Sequence, residues 1–268
     1  MSSGKRAIIA LCAVLVGVLG VAGAVGYLAF VRPPVNPPAE ACGGEGVPGS
    51  GPVVVAAGAS TTRGTLGADW VGALRDRGHR LVNAGVNGHT TADLLARVDA
   101  DVVACRPDAV TLLIGTNDVR GDVPLDEYRA DLGAIVARVR SGTTARIALL
   151  SLPPLGEDLD GALNVELRDY NAVVEEIATE AGVSYLPLHE RMVDALRERD
   201  DEPTPFGFDF GVAYLAAAEH HLLGHEWDEV ARGNGLRLLV DHVHLSDRGG
   251  AIVADLVDGW LSTPDSGR

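Results

Sequence analysis

Five short apolar runs recur along the chain with helical periodicity between them, and this alternation limits the fold more than any other feature. The runs are Val53–Ala57, Arg80–Ala84, Ala109–Ile114, Ala145–Leu152 and Val183–Leu188. Between them, Leu125, Tyr128, Leu132, Ile135 and Val139 share one helical face, as do Leu163, Leu167, Tyr170, Val174 and Ile177. Pro124 suits a first helical turn, and Thr90 with Asp93 has the pattern of a capping box. Short strands alternating with helices predict an α/β domain, a mostly parallel sheet covered on both faces. Ligands of such sheets bind beyond the carboxyl ends of the strands, so the loops leaving the strands are where chemistry is expected.

Ahead of this pattern lies a second constraint. Residues 7–31 carry no charge, follow Lys5 and Arg6, and exceed the roughly 20 apolar residues needed to cross a bilayer as a helix. The alternative is a cleaved signal peptide, with Ala22 and Ala24 at the cleavage site, but its apolar region is usually only about 7–15 residues. An uncleaved transmembrane anchor is therefore expected. Two basic residues before the run and only Arg32 close after it place residues 1–6 in the cytoplasm and the rest outside. Residues 32–51 are rich in Pro and Gly and read as a tether; 52–262 form the folded domain and 263–268 a tail.

The net charge of −15, with Lys5 the only lysine, argues against nucleic acid or anionic headgroups as partners of the folded part. Of three cysteines, Cys12 lies in the apolar run. Cys42 and Cys105 fall outside it, where oxidising conditions permit a disulfide, and the sequence leaves paired and unpaired states equally open. The cysteine spacing matches no zinc site, and no cofactor is implied.

Four loops concentrate polar chemistry. GAST follows the first strand with Ser60, NAGVNGHTT overlaps the second with Gly88, GTND follows the third with Asn117, and DHVHLSDRGG places Asp241 three residues before His244. Ser246 is the expected cap of the last helix. Singly, Ser60 reads as a turn serine, Gly88 as a turn glycine, Asn117 as a loop cap and His244 as a surface histidine.

In order and spacing, these blocks resemble those of the SGNH hydrolases, also called the GDSL esterase/lipase family, from about Val53 to Trp260. The resemblance implies a flavodoxin-like α/β/α sandwich and hydrolysis of carboxylic esters of small molecules, lipids or acylated glycans. It makes Ser60 the nucleophile, His244 its base and Asp241 the orienting carboxylate. The oxyanion hole is expected from the Ser60 amide, Gly88 and Asn117. Serine chemistry has these needs on physical grounds: a hydroxyl requires a base held in one tautomer, and the developing oxyanion requires fixed donors. One departure stands out: the family's GDS aspartate is replaced here by Ala59. The same residues would serve an acyltransferase in which an envelope hydroxyl replaces water, and a domain without catalysis would be an envelope-binding module.

Residues 200–237 form an insertion longer than a simple connection. Its alternating Phe206, Phe208 and Phe210 suit either a lid or acyl-binding wall, or a loop docked on the core. His220, His221 and His225 are expected on a solvated helix face rather than on a metal.

Overall fold

The structure, a computed structural model, describes residues 3–42, 47, 50–198 and 202–263. Expectations for Asp200, Asp201 and residues 264–268 lie outside the described residues. Five strands, β1 (Val53–Gly58), β2 (Arg80–Gly85), β3 (Ala109–Leu113), β4 (Arg146–Leu150) and β5 (Ser184–Leu186), form a parallel sheet in the order β2-β1-β3-β4-β5. This is the flavodoxin-like doubly wound order, as expected. Its reversal beside β1 gathers the ends of β2, β1 and β3, and the register places Gly58 opposite both Gly85 and Leu113.

An apolar helix, α1 (Ser3–Gly26), leads into a wider turn over Tyr27–Val31. The remaining helices are α2 (Pro38–Ala41), α3 (Ser60–Arg63), α4 (Trp70–Asp76), α5 (Thr91–Asp101), α6 (Thr116–Arg120), α7 (Leu125–Gly142), α8 (Ala162–Ala181), α9 (Leu188–Arg197), α10 (Phe210–Ala218), α11 (Trp227–Gly233) and α12 (Asp247–Ser262). Helices α4, α9 and α12 pack together on one side of the sheet, and α5, α7 and α8 on the other. The apolar faces read from the sequence supply the contacts: Tyr128, Leu132, Ile135 and Val139 of α7 and Leu167, Tyr170, Val174 and Ile177 of α8 are buried. The two tyrosine rings meet at 4.9 Å.

Several boundaries differ from expectation for local reasons. Strand β4 ends at Leu150 rather than Leu152, because the Asn171 side chain takes over the Leu152 backbone, accepting from its N–H at 2.6 Å and donating to its carbonyl. Ile114 lies beyond β3, while β2 gains Gly85. Pro124 is extended and precedes α7 instead of occupying its first turn. Leu125 stands at the solvent end of the α7 stripe and is 37% exposed. The Thr90–Asp93 capping box and the Ser246 cap both form.

The segment read as a tether is docked where it is described. Residue Asn36 accepts from the Asn83 amide and donates to the Leu81 carbonyl, and the Val47 carbonyl accepts from Arg80. Cys42 and Cys105 form a disulfide across a sequence separation of 63. Pro38 opens the short helix α2 rather than preventing one, with the Ala41 and Cys42 amides donating to the Pro37 and Pro38 carbonyls, and Asn36 ahead of it bonds to the edge of β2.

A crosslink of this loop length constrains the unfolded chain by about 4 kcal/mol in the chain-entropy model. Cys105→Ser is expected to lower unfolding free energy by roughly 2–4 kcal/mol, read by urea denaturation, with no change in the content of regular structure by circular dichroism.

Candidate active site

The loop after β1 turns directly into α3, so Ser60 begins a helix at the carboxyl edge of the sheet. That turn requires small residues. A Cβ at Gly58 would collide with the Thr62 side chain and the Leu113 carbonyl, and one at Gly85 with the Arg63 amide. Asn83 bonds α3 to the sheet, donating to the Thr62 carbonyl at 3.0 Å while accepting from the Gly85 amide. Arg97 donates to the carbonyls of Gly58 and Ala84, each at 3.0 Å, and pairs with Asp101 at 2.9 Å. A single guanidinium thus holds the ends of β1 and β2 together, using the planar fork that suits several acceptors at once.

Opposite Ser60, the segment preceding α12 makes a tight turn. Leu239 and Leu245 form an antiparallel bridge, the Val240 amide donates to the His244 carbonyl at 2.8 Å, and His242 adopts φ 71°. Asp241 Oδ1 accepts from the amides of Val243 and His244, and Oδ2 lies 2.6 Å from His244 Nδ1. His244 Nε2 is 2.9 Å from Ser60 Oγ. The structure therefore brings Ser60, His244 and Asp241 into one hydrogen-bonded chain from segments 184 residues apart. All three are buried, Asp241 completely. Burial pushes the Asp241 carboxyl up, but the His244 charge, the ring hydrogen bond and the two amides outweigh it and hold the pKa below its ordinary value.

Gly88 and Asn117 line the same cavity of ≈ 310 Å³ as Ser60 and His244. Gly88 has φ 77°, a left-handed conformation natural to glycine. Asn117 donates through Nδ2 to the His89 carbonyl at 2.9 Å, which fixes the plane of its amide. Next to it, Asp118 is fully buried and accepts from the amide and hydroxyl of Thr91. Burial raises the Asp118 pKa against those hydrogen bonds. This carboxylate ties α6 to the start of α5 and so holds the Asn117 loop against the Gly88 loop.

Ala59 is buried, and at the start of α3 it offers no side-chain cap. Several lining residues carried no signal in the local pattern: Phe30 from the end of the apolar segment, Leu66, and Arg120, whose guanidinium lies 4.2 Å from the centre of the Phe208 ring. Of the three alternating phenylalanines, Phe208 and Phe210 line the cavity, Phe208 lying 6.0 Å from the His244 ring, whereas Phe206 packs on His242 at 5.6 Å. Phe208 and Phe210 thus form cavity wall, Phe208 also packing against the core, whereas Phe206 stays 36% exposed. The solvated histidine face needs correction. His220 stacks on Trp227 at 4.0 Å and is only partly exposed, because the chain folds back at Gly224 to bring α11 over it.

Glu157 supports the turn from beneath. It is buried, and its Oε1 accepts from the amides of Arg237, Leu238 and Leu239. Glu157→Ala would leave those donors facing an empty space, and each unsatisfied buried group costs about 1–3 kcal/mol. The variant is expected to lose roughly 2–4 kcal/mol of unfolding free energy in chemical denaturation.

Residues 54–252 match the model of the GDSL-like Lipase/Acylhydrolase family. An acetylxylan esterase of Geobacillus stearothermophilus is 30% identical over 166 residues, spanning 56% of this chain and 74% of that protein. A solved variant of an acetyl xylan esterase from the same organism has a TM-score of 0.59 at 22% identity, covering 82% of this chain and 99% of that one. A further acetyl xylan esterase structure gives a TM-score of 0.58 at 19% identity, covering 78% and 99% of the two chains. Solved variants of the Geobacillus enzyme described as catalytic mutants replace a serine, an aspartate and a histidine by alanine. Matched across most of its length, the chain belongs to the GDSL-like lipase/acylhydrolase family and is a carboxylic ester hydrolase of that type.

Proposed function

We propose that the chain is a membrane-anchored, outward-facing serine esterase in which Ser60 is the nucleophile, His244 the general base and Asp241 its orienting partner. The observation that carries this reading is the Ser60–His244–Asp241 chain, with contacts of 2.9 and 2.6 Å, at the wall of a cavity also lined by Gly88 and Asn117. As Ser60 Oγ attacks the ester carbonyl, His244 Nε2 takes the hydroxyl proton, and Asp241 stabilises the imidazolium. The amides of Ser60 and Gly88 and the Asn117 side chain meet the oxyanion. Collapse expels the alcohol, which receives the proton from His244. Water then attacks the acyl-enzyme by the same route, releasing the acid and restoring Ser60. The missing aspartate at Ala59 removes no atom from this sequence of steps.

Anchoring rests on Ile9–Val31, 23 residues of mean hydropathy 2.5 with most of that length unburied. In this reading residues 7–31 span the membrane, 1–6 remain in the cytoplasm and 52–262 are the esterase domain, with 32–51 a docked connector. The Cys42–Cys105 disulfide supports an oxidising, extracytoplasmic side for the domain.

Ser60→Ala is expected to reduce hydrolysis of p-nitrophenyl acetate by roughly 10⁴–10⁶-fold and to abolish fluorophosphonate labelling, with folding retained. Undiminished turnover would remove Ser60 from the mechanism. Asn117→Ala should cost about 10²–10³ in kcat if its amide meets the oxyanion. Because Asp241 is held below its ordinary pKa, the carboxylate stays ionised as pH falls through the usual carboxylate range, so activity lost there does not come from its protonation. A flat acid limb for the chemical step would count against His244 as base.

A further inference from the structure

The apolar segment does not end at a distance from the catalytic cavity; it forms part of its wall. Phe30 lines the cavity with Ser60 and His244. The foot of the segment is bonded to the residues just beyond the nucleophile: Arg63 donates to the carbonyls of Val31 and Arg32 at 2.9 and 2.6 Å, and Thr65 to that of Ala29 at 2.7 Å. Val25 and Ala29 are buried against Leu66 and against Ala213 and Ala217 of α10.

Helix α10 is unusual for a protein surface. Its nine residues, FGVAYLAAA, include no charged side chain, yet Phe210 is 75% and Leu215 62% exposed, and Leu222 and Leu223, which close the wider turn Glu219–Leu223 after Glu219, His220 and His221, are exposed as well. Large apolar side chains exposed at this density mark an interaction surface rather than one that meets only water. Its one polar side chain, Tyr214, donates to the Ala22 carbonyl at 2.8 Å. Ala22 lies ten residues before Arg32, about 15 Å along a helix axis, which is roughly half of a 30 Å hydrocarbon core. A helix fixed to α1 at that depth is surrounded by acyl chains wherever α1 spans the bilayer.

We infer that α10 lies in the outer leaflet beside α1 and that the catalytic cavity opens to the bilayer, so that the ester hydrolysed is carried by a membrane lipid. The acyl chain enters between Phe30, Leu66, Phe208, Phe210 and Ala213. This rests on Ser60 as nucleophile and on α1 as a span. The acyl group passes from the lipid alcohol to Ser60 and then to water, yielding a fatty acid that remains in the membrane.

The test uses the full chain reconstituted in phosphatidylcholine vesicles, with p-nitrophenyl palmitate dissolved in the bilayer and p-nitrophenyl acetate in the water. Both esters are expected to be hydrolysed. Leu215→Glu combined with Leu222→Glu, neither of which lines the cavity, should lower palmitate turnover at least about tenfold, since charge in the hydrocarbon region is costly. Acetate turnover should stay within about twofold, because the site itself is untouched. Equal turnover of palmitate by variant and parent would overturn the inference while leaving the esterase intact, as would hydrolysis of acetate alone. A variant that only dissociates a dimer would place a second copy on α10 and also overturn it. Failure on both esters, with Ser60 unlabelled by fluorophosphonate, would remove the esterase reading and the inference with it. Independently of the variant's folding, Leu215→Trp should be quenched by lipids brominated in their acyl chains; quenching by aqueous iodide instead would overturn the placement.

Discussion

The junction between β1 and α3 is the constraint on which the rest of the site depends. To put a serine hydroxyl at the edge of a buried parallel sheet, the chain must pass from extended to helical backbone within a residue, in a space bounded by two neighbouring strands. Gly58 and Gly85 provide the room, since any side chain there would strike Thr62, Leu113 or Arg63. The Arg97 guanidinium then satisfies the carbonyls of Gly58 and Ala84, which lie at the ends of their strands. The cost of this crowding is met by groups distant in sequence, so the Ser60 hydroxyl is only as well placed as the loops around it.

The histidine side is built on a different principle. No regular strand delivers Asp241 and His244; a short irregular turn does, held by amides that end on Glu157 below and Asp241 within. A carboxylate accepting several N–H groups is a strong fixed point. His242, at φ 71°, is where that turn stores its strain, of order 1–3 kcal/mol for a residue other than glycine. The hydrogen bonds to Glu157 and Asp241 hold the turn against that strain, and the bond between Asp241 and the ring sets the imidazole's orientation.

The sheet was legible in the sequence because apolar runs and helical stripes are local, and Ser60, Gly88, Asn117 and His244 fell at the ends of elements that such patterns locate. Tertiary decisions were not legible. Nothing local distinguishes Phe30, inside a uniformly apolar run, from its neighbours, yet it reaches the cavity. Arg97 and Glu157 look like ordinary solvated charges until the fold surrounds them with carbonyls and amides. The stretch from Arg32 to Gly51 reads as a flexible connector because it is rich in Pro and Gly, yet Pro38–Ala41 form a short helix and Asn36 ahead of it bonds to β2, contacts that no local pattern signals. Strand ends shifted where a side chain such as Asn171 replaced a neighbouring strand as partner.

The bonds from Arg63 and Thr65 to the end of the apolar segment have a consequence for kinetics. A domain on a leash sweeps a hemisphere and meets substrates by diffusion in three dimensions. A domain clamped to its own helix sweeps nothing. With that helix in a bilayer and the ester carried by a lipid, as inferred above, the cavity would keep one height and one facing direction, its collisions would be those of lateral movement in a plane, and its rate would follow the number of ester molecules per unit area of membrane. Dilution of the surrounding water would leave that rate unchanged.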